Sequence, residues 1–252
     1  MPLTVLVGDA GSASKKVAID MGCDAVEAGN SLLYFDTSGD ISFVPSISSF
    51  VNYLNNGSAR FYVNSFIRND FREKYEIPSF DEILKHSDVM ATAFPYLARS
   101  EPGKVDEAAN VLIDALDALN KFERKENVFL VVTDFDVFDL YVKRRLMILS
   151  LIGVNVVLTC SYKAYEADKS IVDCLNGKFV FMKKHANEQG EAAVGALEQS
   201  MFDLPAGKGF YLDGTSLQSI EFKAREYPLK EIKFANALRD GGIKTAHLSE
   251  AV

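Results

Sequence analysis

Small and charged residues follow the first apolar segment of the chain, and their types suit the binding of a phosphate. Leu3–Val7 is a short apolar run that predicts a buried β-strand, and a helical pattern begins after it. A loop between a strand and a helix meets the N–H groups and the positive dipole of the helix N-terminus, which attract anions. We therefore predict a nucleotide-binding loop made of Gly8, Asp9, Ala10, Gly11, Ser12, Ala13, Ser14, Lys15 and Lys16.

This loop is close to the phosphate-loop pattern G-x-x-x-x-G-K-[ST] without completing it. Counted from residue 8, the second glycine would be Ala13 and the lysine would be Ser14. Counted from residue 9, Lys15 falls in the lysine place, but Lys16 replaces the hydroxyl that binds Mg²⁺. A Cβ at residue 13 or 14 stands where the backbone would wrap a phosphate. Two interpretations stay open: a nucleotide cradle with ATP and Mg²⁺ as cofactors, and an ordinary strand–helix turn with two surface lysines.

Polar and acidic side chains follow the other apolar runs. In an open α/β sheet, ligands bind outside the carboxyl ends of the strands, where the sequence places Asp36, Asp40, Asp134, Asp136, Thr159 and Cys160. We predict Asp134 as a catalytic carboxylate and as the Mg²⁺ ligand, with Asp136 as a second catalytic candidate that could orient a water. The alternative is that both aspartates cap the N-terminus of the following helix, an interpretation that we favour for Asp136.

The elements that must position these residues alternate between strand and helix. Near-continuous apolar runs such as Val128-Phe-Leu-Val-Val132 predict strands that are covered on both faces. The fold class is therefore α/β, with a mostly parallel central sheet, helices on both faces and an antiparallel edge near the C-terminus. Further predicted strands are 32–36, 59–63, 154–158 and 178–182, with a hairpin at 209–222; predicted helices are 104–122, 137–152, 165–175, 191–202 and 229–238.

The chain is expected to form a single domain over residues 1–252. Residues from about 65 to 103 are richer in polar and aromatic side chains and contain three prolines, so we predict a variable segment of short helices there. One of these helices opens at Ser79, where Ser-Phe-Asp-Glu has the spacing of a capping box.

Composition limits the class of protein. Hydrophobic residues make up 48% of the chain, and no apolar run is long enough to span a bilayer. We expect no signal peptide, no membrane insertion and a cytoplasmic location. The three cysteines and three histidines are widely spaced, which predicts buried thiols rather than disulfides or a histidine metal site. A net charge of −8 argues against a protein coated in nucleic acid but permits a local contact with DNA.

The order of motifs resembles the HerA–FtsK branch of P-loop motors, which includes conjugation and viral genome-packaging ATPases and has a RecA-like core. The resemblance covers residues 3–222. Residues 32–40 resemble the family strand that ends in Asp-x-x-Gly-Asp/Glu, and Val128–Asp134 resembles its Walker B strand. Residues 153–160 are similar to the sensor strand, with Cys160 in the place of a glutamine, and residues 204–214 to a late glycine-containing hairpin.

This resemblance implies ATP-driven translocation of DNA by a homo- or hetero-oligomeric ring, completed by an arginine from a neighbouring subunit. Candidates for that arginine are Arg99, Arg144 and Arg145. In the motor subclass a glutamate follows the Mg²⁺-binding aspartate, but here Phe135 does. The departures from the motifs leave a second hypothesis, a catalytically inactive scaffold or regulatory subunit that works through protein–protein contacts. Residues 15–36 also resemble a ParA-like partner ATPase, although the late hairpin argues against that family.

Overall fold

The computed structural model describes residues 3–36, 61–65, 80–85, 89–93, 102–172, 177–184, 201–202, 204–213 and 216–223. Within them lie strands β1 (Leu3–Val7), β2 (Ser31–Asp36), β3 (Phe61–Ser65), β4 (Val89–Ala93), β5 (Val128–Thr133), β6 (Asn155–Cys160), β7 (Lys178–Phe181), β8 (Lys208–Asp213) and β9 (Ser216–Glu221). The helices are α1 (Ser14–Glu27), α2 (Phe80–Lys85), α3 (Pro102–Lys121), α4 (Leu140–Leu151) and α5 (Tyr162–Val172), with 3₁₀ turns at Lys125–Asn127 and Phe135–Val137.

The described strands form one sheet in the order β3-β4-β2-β5-β6-β1-β7-β8-β9. All pairs from β3 through β7 are parallel, whereas β7–β8 and β8–β9 are antiparallel. This order confirms the predicted mostly parallel sheet and its antiparallel edge near the C-terminus. It also places β1 inside the sheet, between β6 and β7.

Helices cover both faces of the central strands, as predicted. On one face α1 packs against β2, β5 and β6. The contact is close at Gly22, because a Cβ there would lie 3.0 Å from Leu32 Cδ1 and 3.6 Å from Val131 Cγ2. On the other face a single apolar cluster joins the alternate strand residues to the remaining helices, and it includes Val5, Phe35, Leu84, Leu116, Leu130, Leu146, Leu158 and Tyr162. Burial on both faces explains why the strands are continuous apolar runs.

The segment at 65–103 contains a strand that the sequence analysis did not predict. β4 inserts between β2 and β3 and pairs in parallel with both. Its sequence, Val-Met-Ala-Thr-Ala, is short and rich in alanine, which has weak strand propensity. Helix α2 begins at Phe80, directly after Ser79, in agreement with the predicted helix start.

Other predictions are confirmed to within a few residues, among them the long helix α3 and the hairpin of β8 and β9. Cys23 and Cys160 are buried, as expected. No helix in the described ranges has the length and apolar character of a membrane span. Predictions that fall outside the described residues are the helix at 229–238, most of the helix at 191–202, Asp40, Arg99, Cys174 and the three histidines.

The alternative interpretation, in which Asp134 and Asp136 cap the following helix, is wrong, including for Asp136, where it was favoured. Both residues lie at a 3₁₀ turn that separates β5 from the helix, and no side-chain cap bond is made at Asp134, which precedes that turn. The cap of α4 is Asp139, whose Oδ1 accepts a hydrogen bond from the Val142 N–H at 2.9 Å. The predicted helix start, residue 137, is three residues early. The chain forms a 3₁₀ turn at Phe135–Val137 before the helix begins at Leu140.

Asp139→Ala tests this assignment. The substitution removes the acceptor for the Val142 N–H, and we expect the free energy of unfolding to fall by about 1 kcal/mol. Chemical denaturation measures the change. Asp139→Asn is the matched control, since asparagine caps about as well as aspartate and should keep the stability near wild type. Equal losses in the two variants would contradict a capping role.

Candidate functional site

The loop after β1 and the acidic loop after β5 lie at the same edge of the sheet. Strands β1, β6, β5 and β2 are consecutive neighbours, and their parallel registers align Val7 with Cys160 and Asp36 with Thr133. The chain that follows each strand therefore emerges at this carboxyl edge, where an open α/β sheet binds its ligands. The Gly8–Lys16 loop and Asp134 both lie at this edge. Asp36 is the last residue of β2 at this edge, and only its backbone is among the described parts of the chain.

The loop first extends the sheet and then folds back on itself. Gly8 N–H donates to the Cys160 carbonyl at 2.9 Å, and Asp9 N–H donates to the Lys183 carbonyl at 3.0 Å. The returning chain brings Ser12 so close that a Cβ on Gly8 would lie 2.5 Å from Ser12 Oγ. Glycine is therefore required at residue 8 for a steric reason that the spacing of the motif did not reveal.

A tight turn joins the strand to the helix. Ser12 N–H donates to the Asp9 carbonyl at 3.1 Å, and Gly11 between them has φ +78°, the combination of a type II turn. Ala13 follows with φ +64°, a left-handed conformation that costs a residue with a Cβ roughly 1–2 kcal/mol. The Ala13 carbonyl accepts the Val17 N–H at 2.9 Å and so opens α1, while Ser12 Oγ accepts the Ser14 N–H at 3.3 Å.

The β8–β9 hairpin holds the loop from the side. The buried Ser12 accepts a hydrogen bond at its carbonyl oxygen from the Gly207 N–H, at 3.1 Å. Gly207 has φ +80°, and its own carbonyl accepts the Phe222 N–H at 2.9 Å. The hairpin was predicted from the sequence, but its contact with the loop was not. No local signal could have shown it, because the two segments are almost two hundred residues apart.

Asp9 is directed away from a ligand role and toward helix α5. Its Oδ1 accepts a hydrogen bond at 3.2 Å from the N–H of Tyr162, the first residue of that helix. Ser161 Oγ accepts the Ala164 N–H at 3.2 Å, so two side chains cap the same helix end. The carboxylate is stabilised there by the helix dipole. In this structure Asp9 fixes the position of the loop relative to β6.

Lys15 and Asp134 form an ion pair in which Nζ lies 2.6 Å from Oδ2. Both side chains are partly exposed, at 30% and 32%. Lys15 comes from the first turn of α1, and Asp134 comes from the loop after β5, with β6 between the two strands that lead to them. Of the two lysines, Lys15 is the one that pairs with the carboxylate after β5.

Asp134 is held in place through its backbone. Its φ and ψ are +49° and +47°, which is the left-handed region, and its N–H donates to Thr159 Oγ1 at 2.8 Å. Thr159 is buried near the end of β6. Among the described residues, Ala13 and Asp134 are the two non-glycine residues with positive φ, and both belong to this edge. Strained backbone of this kind is concentrated at functional sites.

The remaining candidates are arranged differently. Lys16 extends along α1, where its Nζ lies 3.1 Å from Asp20 Oδ2 one turn later. Phe135 is 1% exposed and belongs to the apolar cluster, so the position directly after Asp134 is part of the core. Asp136 is half-buried in the 3₁₀ turn. The structure therefore brings Lys15 to Asp134 but engages Lys16 elsewhere.

Asp134 is the described carboxylate that pairs with Lys15 of the loop, and it would contribute one ligand to a divalent cation. Within the described ranges, no group of three or more His, Cys, Asp or Glu residues is arranged to hold a metal. Asp134 offers a single carboxylate, and Lys16 replaces the hydroxyl of the phosphate-loop pattern. Mg²⁺ commonly binds through one or two carboxylates together with substrate phosphates and water. A Mg²⁺–phosphate complex therefore fits this site better than a free metal ion.

Two clefts in the described part of the chain lie at the opposite edge of the sheet. One, of about 420 Å³, is lined by residues that include Ser31 and Asn127, which mark the starts of β2 and β5. The other, of about 370 Å³, includes Asn30, Phe129 and Asn155. Neither of these two clefts is lined by a residue of the Gly8–Lys16 loop.

Comparison with known proteins adds similarity of architecture only. No protein-family model matches the chain, and no curated protein matches it. Among solved structures it is similar to the genome packaging NTPase B204 from Sulfolobus turreted icosahedral virus 2 in complex with ATP-gammaS, with a TM-score of 0.49 and 9% identity over 88% of this chain and 97% of that one. It is also similar to the cytoplasmic domain of the Thermomonospora curvata type VII secretion ATPase EccC, with a TM-score of 0.33 and 13% identity over 78% of this chain and 24% of that one. At these scores neither structure carries an argument about function, which therefore depends on the site itself.

Substitution of Gly8 tests the geometry of the loop. In Gly8→Ala the new methyl group collides with Ser12, so we expect a loss of about 2 kcal/mol in the free energy of unfolding, as for other overpacked sites. Gly11→Ala is the comparison variant: a Cβ there meets nothing within 4 Å, so its expected loss of roughly 1–2 kcal/mol comes from the positive φ alone. Denaturant unfolding compares the two variants. A Gly8→Ala protein as stable as wild type would show that the loop does not return onto residue 8.

Proposed function

We propose that the Gly8–Lys16 loop binds the phosphate groups of a nucleotide, with ATP as the first candidate and Lys15 as the cationic contact. The observation that carries this proposal is the Lys15–Asp134 ion pair at the carboxyl edge of the sheet, beside the N-terminus of α1. A cation, a carboxylate and a helix N-terminus together are the groups that phosphoryl-binding sites use.

Local structure supports the proposal. The N–H groups in the first turn of α1 have no carbonyl partner within the helix, and the helix dipole is positive at this end. Ser12 Oγ accepts one of these N–H groups, from Ser14. The first turn of α1 contains no acidic residue to neutralise this end of the helix. The Lys15 ammonium is partly exposed and can turn from Asp134 to an incoming phosphate.

Asp134 is the residue that would hold Mg²⁺ when a nucleotide is bound. The cation would neutralise phosphate charge and fix the orientation of the phosphate chain. In this role Asp134 acts through its carboxylate oxygens, while its backbone stays fixed by the bond to Thr159. Asp136 stays a second candidate for orienting a water.

Paired lysine substitutions test nucleotide binding. Lys15→Ala removes a charge-assisted contact, so we expect the affinity for Mg²⁺·ATP to fall by about tenfold to a hundredfold. Lys16→Ala makes the same change in net charge at the next residue, but Lys16 is paired with Asp20, and we expect the affinity to stay near wild type. Isothermal titration calorimetry measures both variants.

Two results would contradict the proposal. The first is the absence of Mg²⁺·ATP binding by the wild-type protein at millimolar nucleotide. The second is equal weakening by Lys15→Ala and Lys16→Ala, which would indicate general electrostatic attraction instead of a specific contact. Thermal unfolding of each variant, measured without nucleotide, ensures that lost affinity is not lost folding.

At a finer level, we propose a motor-like protein that acts on DNA within an oligomer, as the HerA–FtsK resemblance implies. A surface suitable for contacts between subunits exists on α4, where Leu140, Tyr141, Ile148 and Leu151 are exposed. Arg144 on the same helix is exposed and is the better candidate for an arginine that completes a neighbouring site. Arg145 is engaged within its own chain, because a hydrogen bond to the Asp117 carboxylate raises the pKa of its guanidinium.

The second candidate function is a catalytically inactive nucleotide-binding scaffold or regulatory subunit. Phe135 favours it, since a buried phenylalanine occupies the position from which a glutamate would polarise the attacking water. Ser14 also favours it, because in the register counted from residue 9 it replaces the second glycine of the P-loop pattern and adds a Cβ there. In this alternative the protein binds a nucleotide and responds through its surfaces without hydrolysing it.

Nucleotide turnover separates the two functions. A motor is expected to release phosphate from Mg²⁺·ATP, faster when double-stranded DNA is added, and to lose this activity in Asp134→Ala. A scaffold is expected to bind Mg²⁺·ATP without releasing phosphate, with or without DNA. A phosphate-release assay, combined with light scattering to determine the oligomeric state under the same conditions, distinguishes them. Turnover that survives Asp134→Ala would remove this residue from the proposed site.

A further inference from the structure

We infer that Asp134 determines which anions the loop accepts: by holding Lys15 it disfavours metal-free phosphates and favours those that bring their own cation. The inference depends on the proposed phosphate site and adds to it a selectivity between two forms of the same ligand. It assigns Asp134 a role before any metal arrives, as the counter-ion of the lysine.

The two partners differ in mobility. Asp134 is fixed by its left-handed backbone and by the N–H bond to the buried Thr159. Lys15 has a long, partly exposed side chain that projects from the first turn of α1. An incoming anion must therefore draw Lys15 away, while the Asp134 carboxylate stays where it is.

The charges around the loop are balanced by other side chains. Lys15 is paired with Asp134, and Lys16 is paired with Asp20. The Asp9 carboxylate lies at the N-terminus of α5 and adds another negative charge nearby. A metal-free phosphate is consequently attracted by the dipole of α1, whereas both lysines of the loop already have a carboxylate partner.

Binding of a metal-free anion thus carries two penalties. It breaks the contact at 2.6 Å, and it leaves the Asp134 carboxylate beside a second negative group. Both penalties would be absent with a divalent cation, because Asp134 would hold the cation in place of Lys15 and the cation would supply positive charge against the phosphate. Cation and anion are therefore expected to strengthen each other's binding.

Asp134→Asn tests the inference, with pyrophosphate as the probe in excess chelator and in excess Mg²⁺. Asparagine tolerates a left-handed backbone, so the variant is expected to fold. We expect Asp134→Asn to bind pyrophosphate about tenfold more tightly than wild type in chelator, the scale of a single partly screened charge pair. We also expect Mg²⁺ to strengthen binding to wild type and to change binding to the variant little.

Asp114→Asn is the control for net charge. Asp114 is exposed on α3, outside the loop and its ion pairs, and the substitution removes one negative charge, as Asp134→Asn does. The double variant Lys15→Ala/Asp134→Asn completes a thermodynamic cycle. If Asp134 acts by holding Lys15, the gain from Asp134→Asn is larger when Lys15 is present than when it is alanine.

The outcomes separate this inference from the proposed function. If wild type binds pyrophosphate with Mg²⁺ through Lys15, but Asp134→Asn gains nothing in chelator, the inference is overturned and the phosphate site stands. A gain of equal size with and without Lys15, or one matched by Asp114→Asn, overturns it as well. If neither wild type nor Asp134→Asn binds pyrophosphate in either condition, the phosphate site itself is wrong.

Discussion

The steric fit between Gly8 and Ser12 is the constraint on which the candidate site depends. Because residue 8 has no side chain, the loop can return over the end of β1 and bury Ser12 against it. The return determines where α1 begins, and so directs Lys15 toward Asp134. It also turns the Ser12 carbonyl toward Gly207, which connects the loop to the far edge of the sheet. A single close approach thus positions one helix, one lysine and one hairpin.

The chain accepts local strain to make this arrangement. Ala13 and Asp134 both have positive φ without being glycine, and each costs a modest amount of free energy. The surrounding hydrogen bonds hold them there: the Ala13 carbonyl begins a helix, and the Asp134 N–H reaches Thr159. Asp134 belongs to the ion pair, and Ala13 lies two residues before Lys15. The strain is therefore best explained as a means of placing the ammonium and the carboxylate together.

The electrostatics of the edge explain how one structure serves both candidate functions. Ion pairs engage Lys15 and Lys16, and a helix cap engages Asp9, so both lysines of the loop have a carboxylate partner in the absence of ligand. Under the proposed function, a bound nucleotide would rearrange these pairs instead of adding to an already positive surface. Hydrolysis would also require a group that activates the attacking water. The position directly after Asp134, where such a group would be expected, is occupied by the buried Phe135.

The sequence by itself determined most of the elements, β4 being an exception, and the tertiary structure decided their partners. Continuous apolar runs such as Val128–Val132 specify buried parallel strands, because burial on both faces leaves no alternation, and the loop after β1 could be located as a candidate site from its residue types. These signals are encoded within a few neighbouring residues. The position of β4 between β2 and β3, and the tie between Ser12 and Gly207, depend on segments distant in sequence, so no local pattern contains them. The choice of Lys15 over Lys16, and of Asp139 over Asp136 as the cap, required the direction of each side chain, which is decided by one backbone turn and by the elements packed beside it.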